Sequence, residues 1–162
     1  MRALVQRVSE AGVYIEKENY SAEIKKGIVV LLGIKIDDSE EDILFVADKC
    51  SNLRIFEDEN EKMNFSLKDV TGEVLIISQF TLYGDAQKGN RPSFIEAAKP
   101  EIAIPIYEKF INRMKINLGT DKIQTGIFGA MMKVKIINDG PVTILVESKP
   151  QVKKWILFWW FL

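Results

Sequence analysis

The stretch GIVVLLGI at residues 27–34 most constrains what this chain can fold into. It holds no polar side chain and is rich in β-branched residues, so it reads as a strand covered on both faces. A second run, EVLIISQFTL at 73–82, begins the same way and gains polar residues in its second half. Such strands need apolar cover above and below. A chain of 162 residues is long enough to build one core of that kind without disulfide staples.

The rest of the pattern supplies the cover. In SEEDILFVADKCSNL, Ser39 is placed to cap a helix and Asp42 stands at capping-box spacing. Ile43, Val46, Ala47 and Cys50 share one face of that helix, and Cys50 is read as a small buried hydrophobe rather than a reactive thiol. A helical pattern runs from Ser93, and again from Pro100, through PEIAIPIYEKFINRMKINL, with Pro105 expected to kink it or to open a new first turn. Strands are expected at 2–8, at Val13–Glu16 after a turn or bulge at Gly12, and at Ala22–Ile24, Leu53–Phe56, Lys122–Thr125, Met132–Ile137 and Val142–Glu147. Asp139-Gly140-Pro141 is expected as a turn between the last two.

Eight or so strands with two main helices give an α/β fold: a single mixed domain of largely antiparallel β-sheets, barrel-like and layered α/β/β. Residues 1–148 are assigned to this domain. Residues 149–162 form an atypical apolar tail ending in WILFWWFL, which is too short to span a bilayer. Packing on the body or on a second subunit is its expected use.

Histidine is absent. That removes Ser-His-Asp triads, Cys-His pairs and imidazole bases, and it removes zinc sites that depend on histidine. One cysteine forms no intrachain disulfide and no all-thiolate metal site, so no metal or other cofactor is expected. The formal net charge of −1 supplies no global field for DNA. No stretch reaches the ~20 apolar residues of a membrane span, and MRALVQRVSE lacks the apolar core of a signal peptide. The expected setting is a reducing cytoplasm.

Four segments could carry chemistry. Ser78-Gln79-Phe80-Thr81 closes a buried strand with polar groups, which must be satisfied internally or shown to a ligand. Strand alternation puts Ser78 and Phe80 on one face and Gln79 and Thr81 on the other, and amides freed at the strand end can hold an oxyanion. Asn138-Asp139-Gly140-Pro141-Val142-Thr143 reads most simply as chain reversal, while a cis Gly140-Pro141 bond would aim two carbonyl oxygens in parallel as the wall of a site. Gly126-Ile127-Phe128-Gly129-Ala130-Met131-Met132 permits close backbone approach beside an aromatic and adaptable methionines. Lys88 and Arg91, in Gln87-Lys88-Gly89-Asn90-Arg91, are placed either to hold phosphates or to be solvated surface charge. Taken singly, each segment has a purely structural reading.

Taken in order and spacing, MRALVQRV, SQFTLYGD, KGNRPSF, GIFGAMM and NDGPVT resemble the D-aminoacyl-tRNA deacylase family across residues 1–148. The resemblance implies a homodimer with two interfacial sites, each joining the Ser78–Thr81 segment of one subunit to a cis Gly140-Pro141 turn of the other, braced by Arg7. It implies an ester substrate, a D-amino acid on the 3′-terminal adenosine of tRNA. Phe128 and Met132 are the candidate adenine contacts, and Lys88 and Arg91 the candidate contacts to the acceptor end. Without histidine, the implied chemistry is backbone oxyanion stabilisation with help from the ribose 2′-OH. A non-catalytic nucleic-acid-binding module on the same scaffold, or an unrelated small-ester hydrolase, are the competing readings.

Overall fold

The computed structural model describes residues 1–148; the apolar tail lies outside the described residues. Eight strands and two helices follow one another: β1 (Arg2–Ile15), β2 (Tyr20–Ile24), β3 (Gly27–Gly33), α1 (Glu40–Asn52), β4 (Phe56–Glu57), β5 (Met63–Phe65), β6 (Glu73–Ser78), α2 (Pro100–Leu118), β7 (Ile123–Thr125) and β8 (Lys133–Glu147). One edge of β1 is paired antiparallel with β3 and then β2, and β1 also pairs antiparallel with β8 along nearly its whole length. On the far side of β3 lie β6 and then β7, both parallel. The two parallel connections carry α1 and α2, as parallel pairing requires. The sheet is mixed, antiparallel around β1 and parallel beyond β3.

The double cover expected for residues 27–34 is realised. Ile28, Val30 and Leu32 of β3, with Val74 and Ile76 of β6, pack against Val46 and Cys50 of α1 and Phe110 and Met114 of α2. The intervening side chains, Val29, Leu75 and Ile77, face a second cluster with Val8, Ala11, Val13, Ile15 and Ile24, closed by half-buried Met132, Val134 and Ile136. Each buried Val, Leu or Ile contributes about 1.5–3 kcal/mol relative to exposure. Apolar cover on both faces therefore outweighs any single polar contact in setting the architecture.

α1 begins as its sequence predicts. The Ser39 amide donates to Asp42 Oδ2 at 2.7 Å and the Asp42 amide donates to Ser39 Oγ at 3.4 Å, which makes a capping box. The two helices are tied by Arg113, whose Nε and one terminal nitrogen donate to the two Asp48 oxygens at 2.8 Å each. This fork holds the Asp48 carboxyl below the usual carboxylate range.

Several boundaries differ from expectation. β1 runs unbroken through Gly12, which pairs with Glu23 and Lys135. A Cβ at Gly12 would meet the Tyr14 hydroxyl at 3.2 Å and Glu23 Cγ at 3.3 Å, so this glycine serves close side-chain packing rather than a chain break. The Leu53–Phe56 strand shrinks to Phe56–Glu57 and pairs with Met63–Phe65, a strand whose charged surroundings hid it. Residues 93–99 are not helical, because both backbone groups of Ser93 are taken by Asp85 at 2.8 Å. α2 starts at Pro100 and runs through Pro105.

Cys50 is fully buried in the α1–sheet interface, and burial pushes its thiol up to about 12. In the folded protein Cys50 is predicted to resist a thiol reagent at pH 8, and to react completely in denaturant. Rapid labelling under native conditions would show that the helix layer opens.

Candidate active site at the end of β6

β6 leaves the sheet earlier than alternation predicts. The Gln79 amide makes the last ladder bond, to the Leu32 carbonyl at 2.7 Å, and Phe80–Tyr83 then form one 3-10 turn. The turn settles over the end of β3 because position 33 is glycine: a Cβ there would lie 3.0 Å from Leu82 Cβ and 3.2 Å from the Gln79 carbonyl. The expected sorting of Ser78 with Phe80 and Gln79 with Thr81 on opposite strand faces therefore does not hold. What the turn supplies instead is donors. The first amides of a helical turn lack internal acceptors, and among the described residues the Phe80 and Thr81 N–H groups have no hydrogen-bond partner.

Phe80 borders a cleft of about 310 Å³ that Ser78, Gln79 and Phe128 to Met132 also line, and Thr81 stands next to it in the turn. Phe128 is held by Tyr107, ring centroids 5.6 Å apart and edge to face. Tyr107 donates its hydroxyl to the Ile76 carbonyl at 2.9 Å, and burial raises its pKa, so it stays a neutral donor. Met132 reaches the cleft across Gly126, where a Cβ would lie 2.5 Å from its sulfur. Gly126 serves the close approach its segment offers, while Tyr107 is a support that sequence reasoning missed; a hydroxyl on an otherwise apolar helix face was the one available signal for it.

No residue lining the cleft is charged. Thr81 is exposed, does not line the cleft, and its hydroxyl accepts a hydrogen bond from the Gln79 side-chain amide. Among the described residues no basic side chain hydrogen-bonds to that hydroxyl to activate it. A groove of similar size, about 320 Å³, lies over β1 and β2 among Glu10, Glu23, Lys25, Glu73 and Lys135. Several of its charges are spent internally, Lys135 on Glu10 at 2.6 Å, Glu23 on the Tyr14 hydroxyl and Glu73 on the Lys25 backbone amide at 2.7 Å. The neutral cleft with unpaired amides is the better candidate. Among the described residues, no group of three or more His, Cys, Asp or Glu side chains is placed to hold a metal ion.

The Gly140-Pro141 segment is not the chain-reversing turn its composition predicts. Asn138 pairs with Val8 and Thr143 with Gln6, so residues 139–142 stand opposite Arg7 alone as a bulge within the single strand β8. The Gly140-Pro141 bond is cis, and Gly140 takes a φ of +131°, where a side chain is strained. Arg7 explains the bulge. It is 5% exposed, donates from Nε to the Asp139 carbonyl at 2.9 Å and from a terminal nitrogen to the Ile55 carbonyl at 2.6 Å. The carboxylates of Asp139 and Glu57 lie 3.5 and 3.6 Å from it. None of Arg7, Gly140 and Pro141 lines the cleft of its own chain. Lys88 and Arg91 also stay outside it, on an exposed loop closed by the two Asp85–Ser93 hydrogen bonds.

The family model described as D-Tyr-tRNA(Tyr) deacylase matches residues 4–147. Proteins named D-aminoacyl-tRNA deacylase from Clostridium novyi and Flavobacterium psychrophilum are 56% and 54% identical, covering 93% and 92% of this chain and 99% and 98% of theirs. A solved structure described as c-Myc DNA Unwinding Element Binding Protein superposes with a TM-score of 0.86 at 41% identity, over 92% of this chain and 99% of that one. A probable eukaryotic D-amino acid tRNA deacylase shares the fold at a TM-score of 0.78 and 16% identity, over 90% of this chain and 98% of that one. These matches define the class, hydrolases of charged tRNA. Within it, the chain belongs to the D-Tyr-tRNA(Tyr) deacylase family.

Arg7→Lys tests the brace. A single ammonium does not reproduce a guanidinium spanning two carbonyls, and the loss is predicted at about 2 kcal/mol, or roughly 4–8 °C in Tm. An unchanged melting temperature would show that the bulge stands without Arg7.

Proposed function

We propose that the chain hydrolyses the ester between a D-amino acid and the 3′-terminal adenosine of tRNA. We propose that it acts as a homodimer in which Gly140-Pro141 of one protomer meets the Ser78–Phe80 cleft of the other. The observation that carries this reading is the uncharged cleft lined by Phe80, whose amide, like that of Thr81 next to it in the turn, has no partner among the described residues. Such donors suit the oxyanion of a tetrahedral intermediate, and each is worth roughly 10²–10³ in rate. Phe128 and Met132 offer the terminal adenine an apolar platform on the facing wall.

The homodimer has its own support. Among the described residues β8 pairs with β1 alone, so its other edge is unpaired along fifteen residues, with Ile137 and Leu145 43% and 51% exposed. A long apolar edge is a surface that needs a partner. It belongs to the strand that carries Gly140-Pro141, the part of the site that one chain does not deliver to its own cleft.

Chirality is then read by exclusion. Apolar contact discriminates by only ~1–3 kcal/mol per methylene, whereas a rigid wall rejects by collision. With the substrate amino group fixed by the Gly140 and Pro141 carbonyls, an L side chain meets the wall and a D side chain leaves it. Glycine has nothing to collide, so glycyl-tRNA is also admitted. Incubation with D- and L-tyrosyl-tRNA is expected to clear the D form alone. Clearance of neither would favour a nucleic-acid-binding module on this scaffold, the function stated in the name of one structural neighbour.

The proposed route uses water, the ribose 2′-OH beside the ester, and backbone donors. The Thr81 side chain is not a nucleophile in it. Thr81→Ala is expected to cost less than about 10²-fold in kcat, and a 2′-deoxyadenosine terminus to abolish most turnover. A ~10⁴-fold loss in Thr81→Ala, or normal turnover of the deoxy substrate, would overturn the route. A cytoplasmic setting follows from this substrate.

A further inference from the structure

Beyond the cleft, the structure presents an aromatic pair that neither the fold nor the proposed chemistry uses. Phe80 borders the cleft, yet the residue is 56% exposed in the single chain. Phe94 stands against it edge to face, ring centroids 5.1 Å apart, and is itself 37% exposed. Two large apolar rings held at the surface are costly unless something covers them. Their placement is built rather than incidental. Gly84 gives Phe94 its room, since a Cβ there would lie 2.9 Å from the Phe94 ring. The residue before Phe94, Ser93, is pinned by two hydrogen bonds of 2.8 Å to Asp85, which close the loop bearing Lys88 and Arg91.

Along the chain surface the order is therefore cleft, Phe80, Phe94, then a cationic loop. Lys88 and Arg91 are exposed, and neither has a carboxylate within ion-pair distance among the described residues. Asp85, at the base of this loop, accepts the Gln87 amide at 2.9 Å, and nearby Glu96 pairs with Lys35 at 3.3 Å. Apolar rings followed by free cations match a single-stranded nucleic acid leaving the cleft, where bases stack on aromatic side chains and phosphates meet Lys and Arg. A protein partner is not favoured by the same features, because the rings sit beside the cleft that the nucleotide itself would occupy.

Resting on the deacylase reading, we propose that Phe80 and Phe94 form a stacking platform for the nucleotide immediately 5′ of the terminal adenosine, a cytidine in tRNA. Lys88 and Arg91 then take the phosphates behind it. The platform extends recognition of the acceptor end one nucleotide past the scissile ester, with no reading of the tRNA body.

The test compares two small substrates, D-tyrosyl-adenosine and the D-tyrosylated dinucleotide cytidylyl-adenosine, on the unaltered protein, Phe94→Ala and Phe94→Tyr. On the unaltered protein the dinucleotide is expected to show a KM about tenfold lower than the nucleoside, within the range for one base stacked on an aromatic ring. Phe94→Ala is expected to erase that advantage, leaving kcat and the nucleoside KM within about twofold, and Phe94→Tyr to restore it. Equal KM values for the two substrates on the unaltered protein would overturn the platform. So would a Phe94→Ala loss of the same size on both substrates, which would mark Phe94 as a structural support of Phe80. If the unaltered protein hydrolyses neither substrate nor D-tyrosyl-tRNA, the deacylase reading falls and the platform with it.

Discussion

The arrangement depends on burying both faces of β3 and β6. Because Val30 and Ile76 face the helices while Val29 and Leu75 face the curled half of β1 and β8, these strands cannot shift register without exposing one layer. Their ends are therefore fixed points. At one such end the chain passes over Gly33, closes a 3-10 turn and leaves two amides unspent. A site made of backbone groups needs this kind of rigidity, since an amide has no side-chain torsion with which to correct its aim.

The other half of the candidate site is held by charge rather than by apolar layers. Arg7 lies almost fully buried in a mostly apolar strand and ties the bulge of β8 to the Ile55 carbonyl. Burying a guanidinium is costly unless its donors are used. Here they are spent on two carbonyls, with two carboxylates nearby. The core sets where the cleft lies, and the Arg7 brace sets the shape of a segment that projects away from it. The proposed homodimer is what would bring these two halves together.

Much of this was legible from residue order. The β-branched run at 27–34, the Ser39 cap and the buried face ending at Cys50 each follow from local chemistry, and the structure places them as read. Local pattern failed where a distant residue decided the outcome. Residues 79–82 continue a strand-like pattern, yet Gly33, more than forty positions away, lets the chain turn. Asp139-Gly140-Pro141 has a turn's composition, yet pairing with β1 on both sides of it and the hydrogen bond from Arg7 hold it as a bulge. Ser93 begins a helical pattern, yet Asp85 claims its backbone.

The sequence by itself determined what chemistry was open. Without histidine, with one cysteine, and with polar residues gathered at the end of an apolar strand, a histidine-based triad was excluded and backbone or substrate groups became candidates for the chemistry. Residue types set which protonation and nucleophilic reactions are possible, and types are fully present in the sequence. The tertiary structure alone decided that the Phe80 and Thr81 amides lack acceptors, that Tyr107 props Phe128, and that Phe94 lies against Phe80. Those are relations between groups far apart in the chain, and they exist only once burial has brought the layers together and used up the hydrogen bonds that close them.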